Sequence, residues 1–281
     1  MFNLPLVLSY PSIDPVLVHF GPFAIRWYAL AYIAGLVLGW RYMIGMVTAP
    51  RLWASGAAGG PPASPAQLDD LLIWITLGVV LGGRSGYILF YGLVYSPEYY
   101  LDNPLHIFAV WEGGMSFHGG CLGVVVAVIL FCRAKALDVF GVGDLLAAAT
   151  PLGLFFGRIA NFINGELFGR PSHMPWAMIF PNGGPEPRHP SQLYEASLEG
   201  LALFMVLRYL THHTKALSRP GLTAGVFLAG YGIARTFCEF FRSPENPIGE
   251  TGLTMGMLLS LPLWLAAAWL IRRAYRPRFT A

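Results

Sequence analysis

The sequence predicts an all-α integral membrane protein of about seven transmembrane helices, with an external N-terminus, a cytoplasmic C-terminus and a small cap on the external side. Three observations lead there. Of the 281 residues, 55% are hydrophobic and 12% charged, against about 25% charged in an average soluble domain, and mean hydropathy is +0.55. Apolar segments recur near 23–47, 71–93, 119–132, 145–163, 194–210, 223–241 and 254–271, most of them near the ~20 residues that cross a ~30 Å hydrocarbon core. Finally, the basic residues collect in alternate loops.

Taking the segments in order, the loops after the first, third and fifth carry Arg41, Arg51, Arg133, Lys135, Arg208, Lys215 and Arg219, and the tail carries Arg272, Arg273, Arg276 and Arg278. The opposite loops hold Arg170, Arg188 and Arg242 among acids such as Glu98, Asp102, Glu112 and Glu186. The positive-inside rule therefore makes the C-terminus cytoplasmic, and an odd number of spans places the N-terminus outside. Segments 119–132 and 194–210 are short and are expected to extend through polar flanks. No internal repeat is evident, which weighs against an inverted-repeat transporter.

The whole chain, 1–281, reads as a single transmembrane domain. Residues 48–68 are rich in Gly, Ala, Pro and Ser and read as a flexible cytoplasmic loop. Residues 164–190, with Pro, Gly, Trp176 and Phe180, read as an external cap. The opening MFNLPLVLSYPSIDP lacks the basic start and small-residue cleavage site of a signal peptide. A net charge of +3 with no basic run interleaved with aromatics gives no sign of nucleic-acid binding. Cys121, Cys132 and Cys238 lie in or beside apolar runs without C-x-x-C spacing, so they read as small buried hydrophobes rather than disulfides or zinc ligands.

The polar residues inside the apolar segments are the functional signal, because an arginine at the centre of a membrane helix costs roughly 2.5–3.5 kcal/mol on insertion scales. Segment 157–169 reads GRIANFINGELFG and places Arg158 and Asn161 on one helical face. RHPSQLYEASLE, from 188, aligns Gln192, Glu195 and Glu199. YGIARTFCEFFR, from 231, aligns Tyr231, Arg235, Glu239 and Arg242. GGMSFHGG, from 113, sets His118 between glycines that let backbone approach a ligand. Arg26, Trp27 and Tyr28 open the first segment, and Arg84 lies deep in the second with Tyr87 and Tyr91 on its face.

The loop charges put the ends of the first, third, fourth, fifth and sixth segments on the external half. Each residue also has a plain structural reading: Arg26 and Arg242 snorkelling to the interface, Glu239 neutralising Arg235, Glu195 and Glu199 neutralising Arg84 or Arg158, and Arg84 in a structural ion pair. Gathered at one depth, they read instead as an anion site. Guanidinium groups suit phosphate bidentately, histidine is a proton acceptor near neutral pH, and the abundant phosphate of a membrane is a lipid headgroup. No H-E-x-x-H, Asp-rich cluster or nucleotide-binding glycine motif is present, so neither metal nor other cofactor is expected.

The chain resembles the prolipoprotein diacylglyceryl transferases of bacterial inner membranes. The resemblance is carried, in order, by RWYALAY at 26, LGGRSGYILFY at 81, WEGGMSFHGG at 111, GRIANFINGELFG at 157, RHPSQLYE at 188 and YGIARTFCEFFR at 231. Ala29 and Ala160 stand where many members carry glycine. The resemblance implies transfer of the diacylglyceryl group of phosphatidylglycerol to the lipobox cysteine of a prolipoprotein, giving a thioether and glycerol-1-phosphate. It implies His118 as base, Arg158 and Arg235 as phosphate holders, and Tyr28, Asn161, Glu166, Gly169 and Glu239 as supporting residues. Arg242, Gln192, Arg84 and Tyr231 are further candidates.

Reference pKa values of ~8.5 for thiol and ~6.5 for imidazole put that proton transfer uphill by only ~2.7 kcal/mol. Cys121, three residues from His118, offers a rival covalent route. The other classes consistent with the polar residues are a transporter or flippase for an anionic lipid or solute, and a structural subunit locked by Arg–Glu pairs.

Overall fold

A computed structural model describes residues 8–21, 23–53, 60–243 and 254–276. Helix dominates. α1 (Trp27–Val47), α2 (Pro65–Tyr87), α3 (Phe117–Ala134) and α4 (Val139–Ile163) come first. α5 runs without a break through Ser191–Glu195, a π-helical stretch Ala196–Ala202 and Leu203–His213. α6 (Leu222–Glu239) and α7 (Met255–Ala274) complete the series.

Among the described residues, five helices are long and apolar enough to cross a membrane: α1, α2 with its continuation to Tyr95, α3, α4 and α7. Their outer faces expose large apolar side chains, among them Leu81, Leu122 and Leu265, a surface that suits lipid rather than water. α5 and α6 fall below that measure because they carry Glu195, Glu199, Arg235 and Glu239.

Two compact units form, residues 1–59 with 144–281, and residues 60–143. In the second, a capping box starts α2: Ser64 Oγ accepts from Gln67 N–H at 3.3 Å while Gln67 Oε1 accepts from Ser64 N–H at 2.8 Å. Gly78, Gly82 and Gly86 of α2 face Gly119 and Gly123 of α3. A Cβ on Gly82 would lie 2.4 Å from the Gly119 carbonyl oxygen, and one on Gly123 2.1 Å from that of Gly78. This is the small-residue spacing that lets membrane helices meet backbone to backbone. The glycine after His118 therefore serves helix packing.

In the first unit, a Cβ on Gly35 of α1 would lie 2.9 Å from the Gly153 Cα of α4. The buried carboxylate of Asp144 on α4 accepts from the N–H groups of Gly221 and Ala224, both at 2.8 Å. It thus satisfies donors that the start of α6 leaves without helical partners. Two short strand pairs add to the helices. β1 (Leu8–Ser9) runs parallel to β4 (Met178–Ile179), and β2 (Val16–Phe20) pairs antiparallel with β3 (Phe23–Arg26). The hairpin turns at Gly21, with φ +57°, where glycine adopts the left-handed region without strain. Residues 23–26, expected in the first apolar helix, are strand instead, because the turn commits them to pair with β2.

Segment 164–190 folds onto the end of α6. Gly169 N–H donates to His189 O at 2.8 Å and Arg170 N–H to Phe241 O at 2.8 Å. A Cβ on Gly169 would meet Phe241 O at 2.4 Å and His189 Cβ at 2.7 Å, so only glycine fits. Of the loop read as 48–68, residues 54–59 lie outside the described ones. Pro50–Leu52 forms a 3-10 turn, and α2 begins at Pro65.

Candidate active site

α4, α5, α6 and the turn that follows α6 bring three arginines and three glutamates together in the first unit. Glu195 sits at the centre: its Oε2 is 2.9 Å from Arg158 Nε, and its Oε1 lies 2.8 Å from Arg235 Nη1 and 3.2 Å from Arg242 Nη1. Glu199 Oε2 is 3.3 Å from Arg158 Nη2, and Glu239 Oε1 pairs with Arg235 Nη2 one helical turn away. The snorkelling reading of Arg242 is corrected: it is buried and joins this cluster. The π-helical stretch of α5 carries Glu199 just beyond Glu195, and such stretches often occur at functional sites.

Charges balance in this cluster, three against three, which limits the cost of taking them out of water. The acids lie innermost, with the Glu195 and Glu199 side chains fully buried, while those of Arg158 and Arg235 keep 16% exposure. Each guanidinium has five N–H donors. Among the described residues, Arg158 Nη1 and Arg235 Nε make no hydrogen bond or ion pair. The carboxylates thus hold two arginines in place and leave donors for a further anion.

A second network lies beside it. Asn161 Nδ2, one turn beyond Arg158 on α4, donates to Tyr28 Oη at 3.1 Å and to Glu166 Oε1 at 2.7 Å. Gln192 Nε2 donates to Glu166 O at 2.5 Å, and Ser191 Oγ to Leu167 O at 3.0 Å. Leu167 takes φ +57°, a conformation that costs a non-glycine residue about 1–3 kcal/mol and is typical of sites held in place by their surroundings. Tyr231 stands one turn before Arg235, its ring stacked on Phe227 at 6.0 Å.

Of the expected residues, Tyr28, Arg158, Asn161, Glu166, Gly169, Gln192, Tyr231, Arg235, Glu239 and Arg242 fall in this unit. His118 and Arg84 belong to the other. His118 is exposed in the first turn of α3, which Ser116 caps by accepting from Gly119 N–H at 3.2 Å. Arg84 is buried, but its partners are not carboxylates. It donates to the carbonyls of Ile107 at 2.8 Å and Gly113 at 2.6 Å, and also to that of His106. The ion-pair reading of Arg84 is corrected: it fastens the loop that leads into Ser116 and His118. Cys132 and Cys238 are buried as expected, whereas Cys121 is exposed.

Glu195 and Glu199, read from the sequence as partners of Arg84 or Arg158, do pair with Arg158, whereas Gly256 was not foreseen. A Cβ there would lie 2.4 Å from Glu239 Oε1. No spacing signal marks Gly256, since its neighbour is reached only through the fold. Among the described residues, no group of three or more His, Cys, Asp or Glu is placed to hold a metal.

Apolar helices and a buried arginine–carboxylate centre define the class: an all-α membrane protein with a charged site inside it. The chain belongs to the prolipoprotein diacylglyceryl transferase family, whose model matches residues 15–273, and it is therefore a transferase. It is 53% identical to a phosphatidylglycerol–prolipoprotein diacylglyceryl transferase of Rhizobium meliloti (strain 1021), over 95% of this chain and 94% of that one. It is 54% identical to the protein of the same name from Rhodospirillum rubrum, over 96% of each. With that from Nitrobacter hamburgensis it shares 54% identity, over 95% of this chain and 90% of the relative.

Proposed function

We propose that this protein transfers the diacylglyceryl group of phosphatidylglycerol to the thiol of the lipobox cysteine of prolipoproteins, the first step of lipoprotein maturation. The observation that carries the reading is likeness to enzymes of that name at more than half identity along nearly the whole chain. The transporter reading has no such support. In the proposed reaction the cysteine sulfur attacks the glycerol C3 carbon of the donor. The C–S bond forms as the C–O bond to phosphate breaks, the thiol proton passes to a base, and glycerol-1-phosphate leaves. The donor ester holds the energy, so no nucleotide is needed.

Negative charge grows on the leaving phosphate oxygen. Donors fixed before the reaction stabilise such charge without reorganising, and Arg158 and Arg235 are held in that way by Glu195. Their remaining N–H groups are assigned to the phosphate, with Arg242 and Glu239 keeping the geometry. Tyr28, Asn161, Glu166 and Gln192 brace the wall, Gly169 seats the cap, and Tyr231 extends the stripe. His118 is assigned as the base. Its ring makes no hydrogen bond among the described residues, and the start of α3 beside it favours a developing thiolate. Arg84 positions the loop before it.

The proposed topology has α1 to α7 all crossing a bacterial inner membrane, with the N-terminus, the cap and the site periplasmic and the C-terminus cytoplasmic. Arg158 near the end of α4, Glu195 near the start of α5 and Arg235 near the end of α6 are consistent with three alternating spans. The test uses the purified chain, phosphatidylglycerol and a synthetic lipobox peptide, with the peptide mass as readout. A diacylglyceryl increment is expected with phosphatidylglycerol and a cysteine peptide, but not with phosphatidylcholine or a serine peptide. No increment from folded protein would refute the reading.

A further inference from the structure

A second basic site lies in the first unit, about 20 Å along α5 from Glu195 at 1.5 Å per residue. Arg41, Tyr42 and Gly45 of α1, with Arg208 and His212 of α5, help to line a cavity of about 270 Å³. Neither arginine forms an ion pair with any carboxylate among the described residues. Between them stands Tyr42, whose ring is 6.0 Å from the Arg208 guanidinium carbon and stacked on His212 at 6.0 Å. Its hydroxyl is buried beside the Thr211 and Arg208 side chains. The His212 ring is pinned by its Nδ1, 2.9 Å from Thr211 Oγ1 and 3.1 Å from Arg208 O. A Cβ added to Gly45 would meet nothing within 4 Å, so the missing side chain leaves room that a larger residue would fill.

We infer that this cavity is a phosphate site, taking the headgroup phosphate of an anionic phospholipid or the free ion. Two guanidinium groups without carboxylates and an unfilled space converge on one place. Arginine matches phosphate bidentately, and basic pockets between membrane helices bind anionic headgroups. At ~30 Å³ per water, the cavity has room for a phosphate and part of its glycerol. The site does not rest on the transferase reading. The proposed topology puts it on the cytoplasmic side, and the binding test below is independent of that placement. Arginines that merely snorkelled would be indifferent to Gly45.

The test is calorimetric titration of the purified full chain with dioctanoyl phosphatidic acid, dioctanoyl phosphatidylcholine and inorganic phosphate. The variants are Arg41→Gln/Arg208→Gln and Gly45→Leu, the second of which keeps both arginines. Expected is one saturable class of phosphatidic acid binding, at least tenfold weaker in both variants, while transfer to the lipobox peptide continues. The same loss measured with inorganic phosphate assigns the free ion as sufficient, and a loss confined to phosphatidic acid assigns the lipid. Wild-type affinity in Gly45→Leu, or equal binding of phosphatidylcholine, would overturn the site.

Discussion

Arg158 and Arg235 share one buried carboxylate: Glu195 binds Arg158 Nε through one oxygen at 2.9 Å and Arg235 Nη1 through the other at 2.8 Å. α4 and α6 are thereby tied through α5, and the distance between the two guanidinium groups is set before any substrate arrives. A rigid pair of donors suits a reaction whose charge appears on one phosphate.

Glu195→Ala should destabilise the protein by about 3–5 kcal/mol, the cost of leaving buried charges unpaired. Glu195→Gln, which keeps one acceptor, should cost less. Chemical denaturation followed by helical signal checks the order, and equal stability of both variants with wild type would refute a structural role.

His118→Gln should lower turnover by about 10²–10⁴, the usual contribution of a general base, with little change in stability because the side chain is exposed. A variant with most of its turnover would end the base assignment.

Tyr28→Phe should raise the KM for phosphatidylglycerol more than it lowers kcat, since it removes one hydrogen bond from Asn161. Such a bond contributes about 0.5–1.5 kcal/mol, or roughly 2- to 13-fold. Steady-state kinetics in mixed micelles checks it.

The cap should loosen in acid. Burial lowers the pKa of His189 from its ordinary 6.5, and its Nδ1 lies 3.0 Å from Tyr194 Oη. The unfolded chain then binds the proton first, so this contribution is present above pH 6.5 and declines as pH falls toward the lowered value. Protection against hydrogen exchange in 169–190, measured relative to the intrinsic rate at each pH, should fall between pH 7 and 5 in wild type, and His189→Gln should remove that dependence.

Helix positions were legible because long apolar runs dominate a membrane chain; segments expected at 119–132 and 194–210 appear, lengthened, as α3 and α5. The hairpin at 16–26 was not, since its apolar residues merge with those of α1 until the turn at Gly21 is seen. The spacing of Arg158, Arg235 and Glu239 disclosed their shared faces. It did not disclose the central place of Glu195, which depends on how α5 faces both neighbouring helices. Arg84 misled for a related reason: four carbonyl oxygens of a loop solvated it where a carboxylate was expected. Backbone acceptors leave no mark in a sequence.

The most direct test measures single-turnover transfer from phosphatidylglycerol to a lipobox peptide in wild type, Arg158→Ala and Arg235→Ala, with folding checked in parallel. Loss of one preorganised donor typically costs 10²–10³ in the chemical step. Folded variants slowed by that factor, with thiol deprotonation unaffected, would agree with arginines aimed at the leaving phosphate. Wild-type rates in either folded variant would contradict it.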